Sequence, residues 1–565
     1  GYEAMRGVMN GALNNTAVGK DALKALTIGG DNVAIGSGAL TTEDVGDRAV
    51  AVGTNSLYSQ NSDSNNEDSL NVGVGHGAGY YNVTGTNNTY VGGFAGTGAS
   101  GADAAAQSNS DNTAIGKSAM VAVTTGSDNT GVGKDALFDI QDGNGNTAIG
   151  IAAGDNLTAG DYNTFVGRLA GRTTTSVQLA VAIGNGAMDS GNVTAAANGT
   201  VAVGSAALSA LISGENNTAV GFRAGAAITD GDYNTLLGHD AGLGIIGGLS
   251  NTCVGWLAGA AIVNQDHNVA IGHYAMPTSS HASSNYNIAI GSNTLDAIVG
   301  NVATSNIAIG YNAGTNLLDG DNNTLVGNAA GAGITSASNC TLIGSGITGG
   351  VLTGDDNTCV GLDAGAALAG GNQNTCVGKD AGNTISSGAA NIIIGAGADT
   401  DSSDRNGAIA IGQGAITSAA DNTAAIGDQA YVTVINFNSS GNGWANTSDE
   451  RIKKDIVDSD LGLDFINKLR PIKYKDIPPS EWPEVIRPKK LKESHYTSKD
   501  KQLDGLIAQE VIQVAKDLGV TFSGCGSGDE PDSEKQMLEY AKFVLPLIKA
   551  VQELSAKVKA LEDAQ

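Results

Sequence analysis

Apolar and polar positions alternate in a short motif that recurs along the first 428 residues. The motif is Asn-Thr, then a small or apolar residue, then Val, Ile or Leu, then a closing Gly, as in Asn112–Gly116. The closing Gly occurs 24 times, and 17 of the 23 intervals between these glycines are 17 residues long. Short segments rich in Thr, Val and Ile between Gly and Asn or Asp turns are typical of strands. A strand repeated at this period predicts the stacked coils of a parallel β-solenoid.

Each predicted strand is apolar on both faces, as at Ala114 and Ile115. Such strands are normally covered on both faces. We expect one face to fill the interior of the coil, whereas the small Ala would be able to meet another subunit. The motif therefore predicts an intertwined or side-by-side homotrimer. In stacked coils the motif Asn would form an internal amide ladder, and Val and Ile would form a continuous apolar row.

The repeat over residues 10–428 resembles the left-handed β-roll head of trimeric autotransporter adhesins, whose coils carry Asn-Ser-x-Ala-Ile/Val-Gly. The coil is a few residues longer here than in that family. Intervals longer than 17 residues mark insertions, which on a solenoid usually lie on one face, often the binding face. Candidate receptor-binding residues near these insertions are Tyr58, Tyr274, His281 and Tyr286.

Composition narrows the classes of partner and cofactor. The formal net charge of −27 argues against nucleic acid, which needs clustered Lys and Arg. The chain has no run of 18 apolar residues, so no membrane insertion is predicted. Cys253, Cys359 and Cys376 replace the motif Ala and are predicted to be small apolar fillers. No cofactor is predicted, because glycine-rich strings such as Gly73–Gly77 follow from the repeat and open no helix. No metal site is predicted, because the nine-residue calcium-roll pattern is absent and single carboxylates at turns are ordinary Asx-turn chemistry.

A change of composition follows the repeat. A strand is predicted over Tyr431–Phe437, and residues 429–447 form a neck before a charged globular domain at 448–565. This domain begins S-D-E-R-I-K, from Ser448 to Lys453. Alone, S-D-E-R is typical of a helix N-cap. Ser and Lys also form a known nucleophile–base pair, but a separation of five residues does not align them on one helix face. A turn or a neighbouring chain would have to bring them together.

Three further segments accompany this start. They are L-R-P-I-K-Y at 469–474, G-L-I-A-Q-E-V at 505–511 and L-I-K-A-V-Q-E-L at 547–554. With S-D-x-R-x-K, and in this order, they resemble the C-terminal intramolecular chaperone of phage endosialidases and tail fibres. That family consists of Ser–Lys self-cleaving peptidases and also occurs in a membrane-tethered transcription factor. The resemblance implies a small α+β domain that drives trimerisation and is then released.

The same resemblance implies the residue roles. Ser448 would be the nucleophile, Lys453 the general base, and Thr447–Ser448 the cleaved bond. Residues implied to shape the site are Asp449, Arg451, Gln509 and Glu510.

The end of the chain supports trimerisation independently. Apolar residues alternate spacings of four and three, as in the seam of a coiled coil, at Tyr540, Val544, Leu547, Val551, Leu554, Val558 and Leu561. We predict a helix over 534–563 in which Pro546 kinks or starts a helical segment. Three heptads are marginal alone, so the helix is expected to pack onto its domain.

The sequence thus predicts a phage tail fibre or tailspike of the virion, with a trimeric shaft over 1–428 that binds host-surface glycan or another receptor. The chain starts at Gly1 and not at an initiator Met, so an upstream region that joins other tail proteins is expected. Two alternatives stay open. One is a trimeric adhesin of the bacterial cell surface that carries the same chaperone. The other is a glycan depolymerase tailspike with carboxylates that meet between subunits.

Overall fold

The chain divides into two compact units, Gly1–Asn446 and Thr447–Gln565, and each is described by itself. A computed structural model describes residues 1–565 apart from the following positions: 8–9, 63, 65–66, 100–106, 192, 279–283, 299–302, 348–349, 418–419, 429–430, 437–443, 446–453, 455, 476, 478–482, 484–501, 528–535 and 565.

Unit 1 is a parallel β-solenoid to which each repeat contributes one short strand. Consecutive strands within the series β1 to β24 pair in parallel, and equivalent motif positions face each other: Thr113 lies opposite Thr130, and Ile115 opposite Val132. The solenoid predicted from the 17-residue spacing is confirmed. The strands are Thr16–Val18, Val33–Ile35, Val50–Val52, Val72–Val74, Thr89–Val91, Thr113–Ile115, Thr130–Val132, Thr147–Ile149, Thr164–Val166, Val181–Ile183, Val201–Val203, Thr218–Val220, Thr235–Leu237, Thr252–Val254, Val269–Ile271, Ile288–Ile290, Ile307–Ile309, Thr324–Val326, Thr341–Ile343, Thr358–Val360, Thr375–Val377, Ile392–Ile394, Ile409–Ile411 and Thr423–Asp428.

The strand predicted from Tyr431 onward is present as β25, Tyr431–Asn436. It pairs antiparallel with β24 and then with β26, Trp444–Ala445. This reversal ends the parallel stack, and the exposed edge of the last coil is thereby covered by another strand.

The predicted amide ladder runs through the interior of the solenoid. Asn146 is fully buried, and its side-chain amide donates to Oδ1 of Asn129 at 3.0 Å and to the carbonyl of Gly160 at 2.8 Å. Its own Oδ1 accepts hydrogen bonds from the backbone and side-chain amides of Asn163 at 3.0 and 2.9 Å. Asn146 thus joins the coil before it to the coil after it, as do other Asn residues that have an Asn in both neighbouring coils. Buried amides need such partners, because an unpaired one loses its bonds to water without replacement.

The closing Gly of the motif is required by backbone geometry. Gly133 has a φ of +137°, and a Cβ built on it would lie 2.3 Å from the carbonyl oxygen of Gly150 in the next coil. Real Cβ atoms do not approach backbone oxygens so closely, and this conformation strongly favours glycine. The coils can therefore stack at strand distance only where this position lacks a side chain.

The expectation that the small Ala of the strand faces another subunit is wrong. Ala148 points into the coil and is fully buried, whereas Ile149 points outward and is 43% exposed. The space beside the small residue is already lined by side chains of the preceding coil, among them a leucine at some coils and a methionine at others. At Gly73, which occupies the Ala position, a Cβ would lie 2.9 Å from Cγ of Leu57. The outward apolar row is formed by Val and Ile, and not by Ala.

The cysteines at the Ala position behave as the predicted fillers. Cys253, Cys359 and Cys376 are fully buried and free. Burial raises the pKa of the Cys253 thiol to about 12, so this group stays protonated and apolar in character.

Unit 2 is a small α+β domain. Its elements are α1 (Leu463–Lys468), β27 (Ile472–Tyr474), β28 (Leu503–Gly505), α2 (Ala508–Asp517), β29 (Cys525–Ser527), β30 (Gln536–Leu538), a 3₁₀ turn (Tyr540–Phe543) and α3 (Val544–Asp563). β27 pairs antiparallel with β28, and β29 with β30. Phe465, Phe522 and Phe543 form the centre of the core, with ring centroids 4.5–6.4 Å apart. Val511 and Ala515 of α2 pack against them.

The last helix begins later than the predicted residue 534. Strand β30 and the 3₁₀ turn precede it, and α3 starts at Val544. Pro546 lies in the first turn, where a missing N–H leaves no helical hydrogen bond unmade, so it starts the helix and does not kink it. Within the described residues, no helix is long and apolar enough to cross a membrane.

We predict that Asn146→Ala lowers the free energy of unfolding by about 3 kcal/mol, because it leaves the buried amide of Asn163 without its acceptor. Denaturant titration, with hydrogen exchange at the Asn163 amide, measures the effect. The control is Asn156→Ala, an exposed Asn of the next coil, which should change stability by no more than about 0.5 kcal/mol. Equal losses in the two variants would contradict a structural role for the ladder.

Candidate functional site

The predicted catalytic pair, Ser448 and Lys453, lies outside the described residues. The same holds for Thr447, Asp449 and Arg451. The described part of the candidate site consists of the elements that follow in the chain, which carry the three motif segments of unit 2.

An ion pair joins two of these motif segments. Arg470 lies two residues after α1, and its Nε donates to Glu510 in the first turn of α2 at 3.0 Å, while its Nη2 donates to the other carboxylate oxygen. The hydrogen bond from Arg470 lowers the pKa of Glu510, and the same bond raises the pKa of Arg470. Both side chains are substantially exposed, so the pair orients the two segments more than it stabilises them. The predicted supporting residue Glu510 thus has a defined partner.

A groove of about 470 Å³ lies beside the other predicted supporting residue, Gln509. Tyr540 closes one side of the groove, and its hydroxyl accepts a hydrogen bond from the backbone amide of Leu506 at 2.8 Å. Gly505 makes this contact possible, because a Cβ there would lie 2.6 Å from the Tyr540 hydroxyl. The groove is lined by Ile472, Tyr474, Leu506, Ile507, Ala508, Gln509, Leu538 and Tyr540.

The residues of the segment G-L-I-A-Q-E-V have different structural roles that require them to follow one another directly. Its glycine ends β28, and its Ala508 begins α2. Val511 is buried in the core, whereas Gln509 lines the groove and Glu510 holds Arg470. One turn of helix therefore anchors the domain on one side and presents polar groups on the other.

The segment L-I-K-A-V-Q-E-L packs α3 onto the domain, as predicted. Glu553 accepts a hydrogen bond from the backbone amide of Leu463 at 2.8 Å and so caps the start of α1. Ala550 is buried on the same side of α3. The predicted coiled-coil seam lies on the remaining surface and is 46–68% exposed, at Tyr540, Val544, Leu547, Val551, Leu554, Val558 and Leu561.

The candidate receptor-binding residues of the shaft lie in separate places. Tyr58 follows β3 and stacks on Tyr80 with ring centroids 4.9 Å apart. Tyr286 precedes β16 and stacks on His267 at 5.2 Å. His281 lies outside the described residues.

Tyr274 differs from the other candidates because it lies on the coil itself. It is the second residue after a closing Gly, a position that every coil has, and its ring contacts Trp256 at 5.0 Å and His273 at 4.6 Å. Sequence reasoning directed at insertions missed Trp256. The signal that would have found it is the recurrence of ring residues one position after the closing Gly.

In the part of the chain that the structure describes, no group of three or more His, Cys, Asp or Glu side chains is placed to hold a metal ion.

The chain combines a long parallel β-solenoid with a small C-terminal α+β domain. Residues 448–520 match the family model described as the chaperone of endosialidase, and the match begins at Ser448. No curated protein matches the chain. The solenoid and the matched domain together suggest a protein of the phage tail-fibre or tailspike type.

Proposed function

We propose that this chain is a phage tail fibre or tailspike that attaches as a homotrimer to glycan on the host surface. Its C-terminal domain directs assembly and then cuts the chain at Thr447–Ser448. One observation carries the proposal: a stack of coils leads into a chaperone match that starts at the serine of the implied bond.

Folding physics explains why such a solenoid would need an assembly domain. Successive coils are nearly identical, so neighbouring subunits that slip by one coil lose few contacts. Assembly of non-local β structure is also slow and exposes apolar surface to aggregation. A terminal domain that trimerises first would set the register. Its removal afterwards would make unfolding effectively irreversible, because the chains could no longer be realigned.

Two exposed apolar surfaces support a trimer. The third residue of the shaft strands faces outward, with exposures such as 40% at Ile115, 43% at Ile149 and 40% at Ile343. The seam of α3 is the second surface. Continuous exposed apolar surface of this kind marks sites of protein association. The two surfaces belong to different units, and both would contribute to the stability of the trimer.

The proposed cleavage uses the position of Ser448 next to the bond it cuts. Its Oγ attacks the carbonyl carbon of Thr447, and the neutral amine of Lys453 accepts the hydroxyl proton. The C–N bond breaks, the new α-amino group of Ser448 takes a proton, and an ester links Thr447 to Oγ. Water then hydrolyses the ester, which separates shaft from chaperone. A lysine acts as a base only when its amine is neutral, so cleavage is expected to accelerate as the pH rises.

We predict that Ser448→Ala abolishes cleavage and leaves full-length chain on denaturing gels, whereas the native chain yields two fragments. Lys453→Ala should do the same because the proton acceptor is lost. Mass spectrometry should locate the new ends at Thr447 and Ser448. Lys454→Ala is the matched control, one residue along, and should cleave normally. Cleavage that persists in Ser448→Ala would falsify the proposed nucleophile.

We predict that Leu554→Asp, made in the uncleaved Ser448→Ala chain, weakens the trimer at least tenfold, because a charge would be buried in the α3 seam. Analytical ultracentrifugation reports the oligomeric state. Ser555→Asp places the same charge at the adjacent exposed position and should leave the trimer intact. A monomeric native chain, or equal effects of the two variants, would count against the seam.

We predict that the purified shaft binds a subset of bacterial O-chain and capsular polysaccharides on an array without cleaving them. Heat-unfolded protein is the control, because binding through stacked coils requires the folded solenoid. If new reducing ends were released from a bound polysaccharide, the shaft would be a depolymerase and not only an attachment protein. If the shaft bound neither the array nor intact bacteria, attachment to glycan would be refuted.

A further inference from the structure

Four ring side chains follow one another along the outside of the shaft. Phe222, His239, Trp256 and His273 each occupy the position directly after the closing Gly in four consecutive coils. We call this set the ring column. The centroids of Phe222 and His239 are 5.0 Å apart, and those of Trp256 and His273 are 4.8 Å apart. Phe222 and Trp256 are 46% and 44% exposed.

The residues found at the equivalent position in other coils indicate that the ring column faces water. The same position holds a cation in five other coils, at Lys20, Lys117, Lys134, Arg168 and Lys379. The side chains of Lys20, Lys134 and Lys379 are 57–64% exposed. Strongly hydrated lysines are depleted at the centre of protein interfaces. Subunit contacts therefore fall on the outward Val and Ile row, and the ring column stays available to a different partner.

A charged cluster borders the ring column. Arg223 donates from Nε and Nη2 to the two carboxylate oxygens of Asp240 at 2.7 and 2.8 Å. The guanidinium carbon also lies 5.4 Å from the centre of the Phe222 ring. His239 Nδ1 lies 3.1 Å from the same carboxylate, whose side chain is only 7% exposed. The nearly buried Asp240 thus holds a cation and a ring nitrogen in place beside the exposed rings.

We propose that the ring column, with Tyr274 and Arg223, is the site at which the shaft binds a linear neutral polysaccharide. The C–H faces of pyranose rings pack on aromatic faces, and polar groups at the border bind hydroxyls. Four coils at a strand spacing of ~4.8 Å span about 14 Å, which accommodates about three sugar units along the shaft. The net charge of −27 disfavours a polyanionic chain. The inference rests on the proposed attachment to glycan and assigns it to ordered coils instead of insertions.

The test uses the full chain on an array of purified bacterial polysaccharides that contains neutral and acidic members. Trp256→Ala and Phe222→Ala should each weaken binding to neutral members at least tenfold. Trp256→Phe keeps an aromatic face and should stay within about threefold of the native chain. The control Tyr162→Ala removes a more accessible ring, 66% exposed, from another column and should bind normally. Circular dichroism and ultracentrifugation verify that each variant is folded and assembled.

The outcomes separate this site from the wider proposal. Unchanged binding by folded Trp256→Ala and Phe222→Ala would place the glycan elsewhere and leave attachment standing. Loss of the oligomer in Trp256→Ala would show that the ring column is a subunit contact. Binding of acidic polysaccharides alone would exclude a neutral polysaccharide as the ligand. If the native chain bound neither the array nor bacteria, attachment to glycan would fail as well.

Discussion

The vertical register between coils is the constraint on which the shaft depends. It is set by two columns, one of buried amides and one of half-buried glycines. A ladder Asn with an Asn in both neighbouring coils bonds to the coil before it and the coil after it, so a displaced coil would leave buried amides unpaired. Each closing Gly lies so close to the next closing Gly that a side chain would collide with backbone. The same two columns explain why both residue types recur at a fixed spacing.

Fixed stacking assigns a separate environment to each position of the repeat. The second strand residue lies in a narrow interior and is most often Ala, and glycines make room for larger residues such as Tyr90, Phe165 and Leu236. The third strand residue forms an outward apolar row. The position after the closing Gly faces water. A substitution there changes the surface of the shaft without disturbing its interior, which is how the ring column can differ from the lysines of other coils.

The regularity that stabilises one subunit leaves the alignment of three subunits weakly determined. Nearly identical coils offer many registers of similar energy between neighbouring chains. On the proposed function, the C-terminal domain resolves this ambiguity with its own packed core and the exposed seam of α3. The position after the closing Gly then has no part in assembly, which falls to the outward Val and Ile row and to the C-terminal domain. Assembly and recognition would thus be carried by different residues and could change independently.

The sequence alone determined the solenoid and the amide ladder, because a strict period reports local backbone geometry directly. The small α+β domain was implied by the resemblance of its ordered motifs to a known family. The direction of Ala and the start of α3 were decided by tertiary packing, because side chains of the preceding coil line the interior and β30 precedes the helix. Gln509 and Glu510 were found by resemblance, whereas the partner Arg470 required the fold. The ring column emerged only when residues 17 apart were stacked into contact, since no local pattern brings Trp256 and His273 together.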